Sequence, residues 1–131
     1  MSKSRTENEI SYVIRGAIYS VYNELGPGLL ESIYEAALVL ELQERGLKVE
    51  SQKSVDVFYH GEKLPVDYRL DILVEDKVVI ELKSVQEMKD VFFLQIKSYL
   101  KLTEKQLGIL VNFNCSDINA NIWRVVNGLS H

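Results

Sequence analysis

Residues Val66–Lys83 read VDYRLDILVEDKVVIELK, two alternating runs separated by the turn-like Glu75-Asp76-Lys77. This is the pattern of a β-hairpin, because successive strand residues point to opposite faces. If those three residues form the loop, Leu73 faces Val79, Asp71 faces Glu81 and Arg69 faces Lys83, all on one side of the hairpin. The other side carries Leu70, Ile72, Val74, Val78, Ile80 and Leu82. It is wholly apolar and predicts a face packed on a core.

Upstream, apolar residues recur from Ile10 through Val13, Ile14, Ala17, Ile18, Val21, Tyr22 and Leu25, the stripe of an amphipathic helix. Gly26-Pro27-Gly28 ends it. A second helix is expected from about Leu29, with Leu30, Ile33, Tyr34, Ala37, Leu38 and Leu42 inward and Gly46 as its stop. Between Lys48 and Tyr59 the pattern changes to alternation and predicts a strand, closed by a turn at His60-Gly61. Downstream, Gln86–Leu102 is expected to be a helix, with Met88, Val91, Phe92, Gln95, Tyr99 and Leu102 on a common side. The nearly unbroken apolar run Leu107–Phe113 fits a strand covered on both faces. A short strand, Asn121–Val126, and Asn127-Gly128 close the order α-α-β-β-β-α-β-β.

Composition sets bounds on this order. The chain has 131 residues, 47% of them hydrophobic, and no linker or repeat, so a single domain over 1–131 is expected. Cys115 is the only cysteine. That excludes an intrachain disulfide and a cysteine-ligated zinc or iron–sulfur centre within one chain, and leaves Cys115 the role of a small buried hydrophobe. The polar start fits neither a secretory signal nor a membrane span, so a cytoplasmic protein is expected. Neither His60, in a turn, nor His131, near the end, supports a serine or cysteine hydrolase. Fifteen basic against nineteen acidic residues give a net charge of −4, the wrong sign for bulk electrostatic attraction to nucleic acid. A nuclease remains open, because a bound divalent ion offsets an acidic site.

Two carboxylates facing each other across a hairpin repel by up to about 1 kcal/mol unless a cation compensates. Lys83 is one candidate. A divalent ion held by Asp71, Glu81, the Leu82 backbone carbonyl and waters is the other, and this all-oxygen set suits Mg²⁺ or Mn²⁺. Such an ion polarises a phosphodiester and acidifies a bound water, while a nearby lysine orients that water or neutralises developing charge.

Asp71 followed by Glu81-Leu82-Lys83 resembles the PD-(D/E)XK nuclease signature. Gly28-Leu29-Leu30-Glu31-Ser32-Ile33-Tyr34 matches the motif that names the GxxExxY family of that superfamily. Gln95-Ile96-Lys97-Ser98-Tyr99 resembles the QxxxY element of one exonuclease-like branch, and Tyr68–Asp71 and Val126–Leu129 are also similar to the GxxExxY family. The resemblance implies an α/β (α+β) fold with a restriction-endonuclease-like core, a mixed central sheet flanked by helices. It implies Asp71 and Glu81 as metal ligands, Lys83 as catalytic, Glu31 projecting toward the site, and Gln95 and Tyr99 positioning substrate. It departs from the pattern at Leu70, where a proline commonly precedes the aspartate, and at Phe92, where relatives often carry histidine.

The reading is therefore a Mg²⁺- or Mn²⁺-dependent nuclease with DNA or RNA as its substrate and no membrane partner. Its rival is a catalytically inactive module of the same fold, a binding protein or a homo-oligomeric scaffold. Tyr34 reads as a core aromatic and Gly28 as a turn residue. Lys97, Lys101 and Lys105 read as a solvated stripe facing away from the site, since Lys97 is about 200° around the helix from Gln95.

Overall fold

The computed structural model describes residues 4–129, so His131 lies outside the described residues. Helix α1, Glu7–Leu25, starts with a capping box between Thr6 and Glu9 and buries Ile10, Ile14, Ala17, Ile18 and Val21, as its periodicity requires. Helix α2, Glu31–Glu44, buries Tyr34, Leu38 and Leu42. Leu30 and Ile33, expected inside, are exposed. Leu30 is the residue before the first helical turn and has extended backbone, which takes it off the helical face.

The expected strand Lys48–Tyr59 divides into β1, Val49–Val55, and β2, Phe58–Tyr59. Strand β2 pairs with β3, Glu62–Lys63, as a separate small hairpin around His60 and Gly61. The central hairpin is β4, Tyr68–Val74, and β5, Val78–Lys83. Helix α3, Asp90–Thr103, then crosses to β6, Leu107–Asn112, and a 3-10 turn at Ile118–Asn121 leads to β7, Ile122–Val126. With the β2–β3 hairpin set aside, this is the order expected from the sequence.

The five long strands form one mixed sheet in the order β1-β4-β5-β6-β7. Only β5 and β6 are parallel; the other neighbours are antiparallel. Helices α1 and α2 pack on one face with Ile72, Val74, Val78, Ile80, Leu82, Ile109 and Val111. Helix α3 covers the other, where Leu100 meets Leu73 and Val79. Strands covered on both faces are apolar throughout, which explains why every residue of β6 is buried.

The register around the central turn is the expected one, with Leu73 opposite Val79 and Val74 opposite Val78. Leu70 does not keep the face assigned to it. It packs with Leu73 and Val79 toward α3, so the side-chain alternation of β4 slips between Leu70 and Ile72. Arg69 forms an exposed ion pair with Asp67, and the paired hairpin stops before reaching the expected Arg69–Lys83 position.

Helix α3 starts four residues later than expected and presents a different face. Ile96 and Leu100 are its buried residues, while Val91 and Leu102 are exposed. Ile96 sits directly over Gly108 of β6, where a Cβ would lie 2.8 Å from its Cδ1, so this crossing needs a residue with no side chain. Cys115 is half-buried against the core rather than within it. Lys97 and Lys101 are exposed, and Lys105, beyond the helix end, pairs with Asp76.

Candidate active site

The ladder between β4 and β5 ends at Ile72 opposite Ile80. One step further, side chains replace the backbone bonds. The Asp71 N–H donates to Glu81 Oε1 at 3.3 Å, and the Leu82 N–H donates to Asp71 Oδ2 at 3.1 Å. The carboxylates are thus anchored on each other's strand at the point where the strands part. Strand β1 is irregular at the same level. Ser51 pairs with Ile72 and Lys53 with Leu70, but Gln52 between them has φ 52° and turns its side-chain amide onto Glu35 at 2.9 Å. A left-handed glutamine costs energy, and such positions cluster at functional sites.

Glu81 is 6% exposed, in the hydrophobic middle of the sheet. Burial, then hydrogen bonding to and repulsion from Asp71, push its carboxyl up to about 10, against the opposing pull of the Asp71 N–H and the Lys83 charge. Tyr99 lies beside this pair: burial raises its phenol first, and the Glu81 charge raises it further. Tyr68 packs edge-on against Tyr99, ring centroids 5.1 Å apart, and is raised by burial, Tyr99 and Glu81. Lys83 is half-buried, with its ammonium 4.7 Å from the centroid of the Phe92 ring.

The other candidates lie around this centre at different removes. Gln95 is exposed on α3, one turn before Tyr99. Glu31 is exposed in the first turn of α2. That turn is tied to the end of β5, because Ser84 Oγ donates to the Leu29 carbonyl at 2.5 Å. Tyr34 strengthens the tie: its hydroxyl donates to the Gly26 carbonyl at 2.6 Å and accepts from the Leu29 N–H at 3.1 Å. Its ring stacks on Phe113, whose N–H donates to the Lys83 carbonyl at 2.9 Å. Gly28, at φ 93°, allows the turn itself. Gly28 and Tyr34 therefore fix the turn that leads into α2, on which Glu31 stands, against the segment that follows β5.

Reasoning from the sequence missed three contributors. Tyr68 was hidden by the slip of β4, which no alternation rule foresees. Phe92 stands on the expected common side of the helix and departs from the family pattern, but neither reading gives it a part in the site. Asn112, buried at the end of β6, accepts from the Val85 N–H and donates to the Val85 carbonyl, clamping the segment after Lys83. A polar residue ending an apolar run was its one visible signal.

Among the described residues no three His, Cys, Asp or Glu side chains converge as a metal cage. The donors present are two carboxylates, one of them buried without an ion pair, and hard oxygens of this kind fit Mg²⁺ or Mn²⁺ that keeps most of its waters. No helix among the described residues is long and apolar enough to cross a membrane. No curated protein and no solved structure matches the chain. A family model does match, over residues 8–125, and its description is the PD-(D/E)XK nuclease superfamily. The match runs from the first helix to the last strand, with Asp71, Glu81 and Lys83 inside it, and the chain belongs to the PD-(D/E)XK nuclease superfamily.

Proposed function

We propose that the protein is a divalent-metal-dependent nuclease that hydrolyses phosphodiester bonds of DNA or RNA, and that it falls in the GxxExxY branch of its superfamily. The observation that carries this reading is the pair Asp71–Glu81, held at the parting of two strands with Lys83 two residues away. Two like acids held together, Asp71 half-buried and Glu81 buried and pushed up to about 10, favour binding of a cation that would replace the proton.

Asp71 and Glu81 would hold Mg²⁺ or Mn²⁺, with the Leu82 backbone carbonyl and waters as further ligands. When bound, the ion acidifies a water and polarises the phosphate. Lys83 would orient the attacking water or offset charge developing on the phosphoryl oxygens. Glu31 assists from the start of α2, and Gln95 and Tyr99 position the nucleic acid from α3. The polar site, the absence of a membrane-crossing helix among the described residues and the single cysteine support a cytoplasmic enzyme.

Cleavage of single-stranded, duplex and branched substrates with Mg²⁺ or Mn²⁺ tests the reading. The expected loss in Glu81→Ala and Lys83→Ala is about a hundredfold or more. Equal activity in wild type and both variants would falsify it. The second reading, an inactive binding module or homo-oligomeric scaffold, draws on the net charge of −4 and on the two-carboxylate donor set. Calorimetric titration separates them: a nuclease binds Mn²⁺ and loses it in Asp71→Ala, whereas a scaffold binds none.

A further inference from the structure

Lys83 is a cation beside two carboxyl groups, yet its ammonium forms no ion pair or hydrogen bond with any described residue. Its one direct partner is the face of Phe92, at 4.7 Å from the ring centroid. Phe92 is in the first turn of α3, where its N–H donates to the Lys89 carbonyl at 3.0 Å. The positive end of a helix dipole does not attract a lysine, so the ring face must supply the attraction.

We propose that Phe92 is a positioning residue, holding the Lys83 ammonium on the α3 side by a cation–π contact and so keeping it from pairing with Asp71 and Glu81. The inference rests on the nuclease reading. A lysine that closed onto the carboxylates would occupy the lone pairs a divalent cation needs and would itself be lost to the substrate. An aromatic ring holds a cation without a charge of its own and without metal-binding atoms. It thus leaves the acids open and the ammonium positive. An ordinary hydrophobe of similar size at position 92 could fill the space but could not hold the lysine.

The test replaces Phe92 by 4-fluoro-, 3,5-difluoro- and 3,4,5-trifluorophenylalanine, which drain the ring face of electron density with little change in shape, and adds Phe92→Leu. Two quantities are measured: Mn²⁺ affinity by calorimetry, and the Lys83 Hε and Cε shifts by NMR in lysine-labelled protein, assigned with Lys83→Arg. The expected result is a stepwise fall in Mn²⁺ affinity with fluorine number, reaching about three- to tenfold, and loss of the upfield ring-current shift in Phe92→Leu. If Phe92→Leu does not fold, the fluorinated series carries the test alone. Mn²⁺ binding that is flat across that series overturns the proposal and leaves the nuclease reading intact. Absence of Mn²⁺ binding by the unmodified protein overturns both.

Discussion

At neutral pH the buried Glu81 carboxyl keeps a proton that the unfolded chain has released. Its folded value of about 10 stands above the ordinary 4.5, so the folded state binds more protons throughout the interval between them. The stability that proton contributes is complete below about pH 4.5 and is lost as pH rises toward 10. Glu81→Gln keeps the shape and removes the titration. It is expected to stabilise the protein by about 1–3 kcal/mol near pH 8.5, because the unfolded chain no longer gains by releasing this proton, and to abolish activity. Urea unfolding at about pH 5.5 and about pH 8.5 checks this. Identical pH slopes in wild type and Glu81→Gln would rule out Glu81 as the source.

Among the elements, α3 decides whether the site is assembled, since it brings Phe92 and Tyr99 over the sheet. Its seat is Gly108. In Gly108→Ala the new Cβ would meet Ile96 Cδ1 at 2.8 Å and Cγ1 at 3.0 Å, in a position where Ile96 has no exposed surface to move into. The expected cost is about 1–3 kcal/mol, with a weaker Mn²⁺ affinity as the helix is lifted. Ile96→Val removes the clashing methyl, so the double variant should be more stable than the sum of the two single effects. Strict additivity in denaturant unfolding would argue against this contact. The same crossing explains why the face of α3 was not legible in the sequence. The expected stripe Met88-Val91-Phe92-Gln95-Tyr99-Leu102 has helical spacing, and so has Phe92-Ile96-Tyr99-Leu100-Thr103. Only the bare spot at Gly108 selects the second.

For the molecule as a whole, one continuous sheet with helices on both faces predicts a single cooperative transition. Trp123, on β7 against Phe93, reports from the edge of the sheet opposite β1, and circular dichroism reports mainly the helices. The two signals should coincide in urea, with a slope of about 1–3 kcal/mol/M. Separate midpoints would mean that the chain unfolds as more than one unit. The β2–β3 hairpin stands apart from this sheet and exposes Phe58 and Tyr59, so removing their rings should leave the midpoint nearly unchanged.

Periodicity alone determined the order of elements, the face of α1, the buried character of β6 and the register of the central hairpin. Each of these follows from local rules: the helical repeat, the two-residue repeat of a strand and the length of a turn. Asp71 and Glu81 were legible for the same reason, since the turn dictates that they approach. What the sequence left undecided depends on packing between distant segments. The slip at Asp71, which sends Leu70 toward α3, arises where β4 must pair with β1, part from β5 and receive Tyr99 together. The clamp of Asn112 on Val85 joins residues far apart in the chain. The resting place of Lys83 on Phe92 was set only when α3 docked, because a lysine side chain is long enough to reach either the acids or the ring.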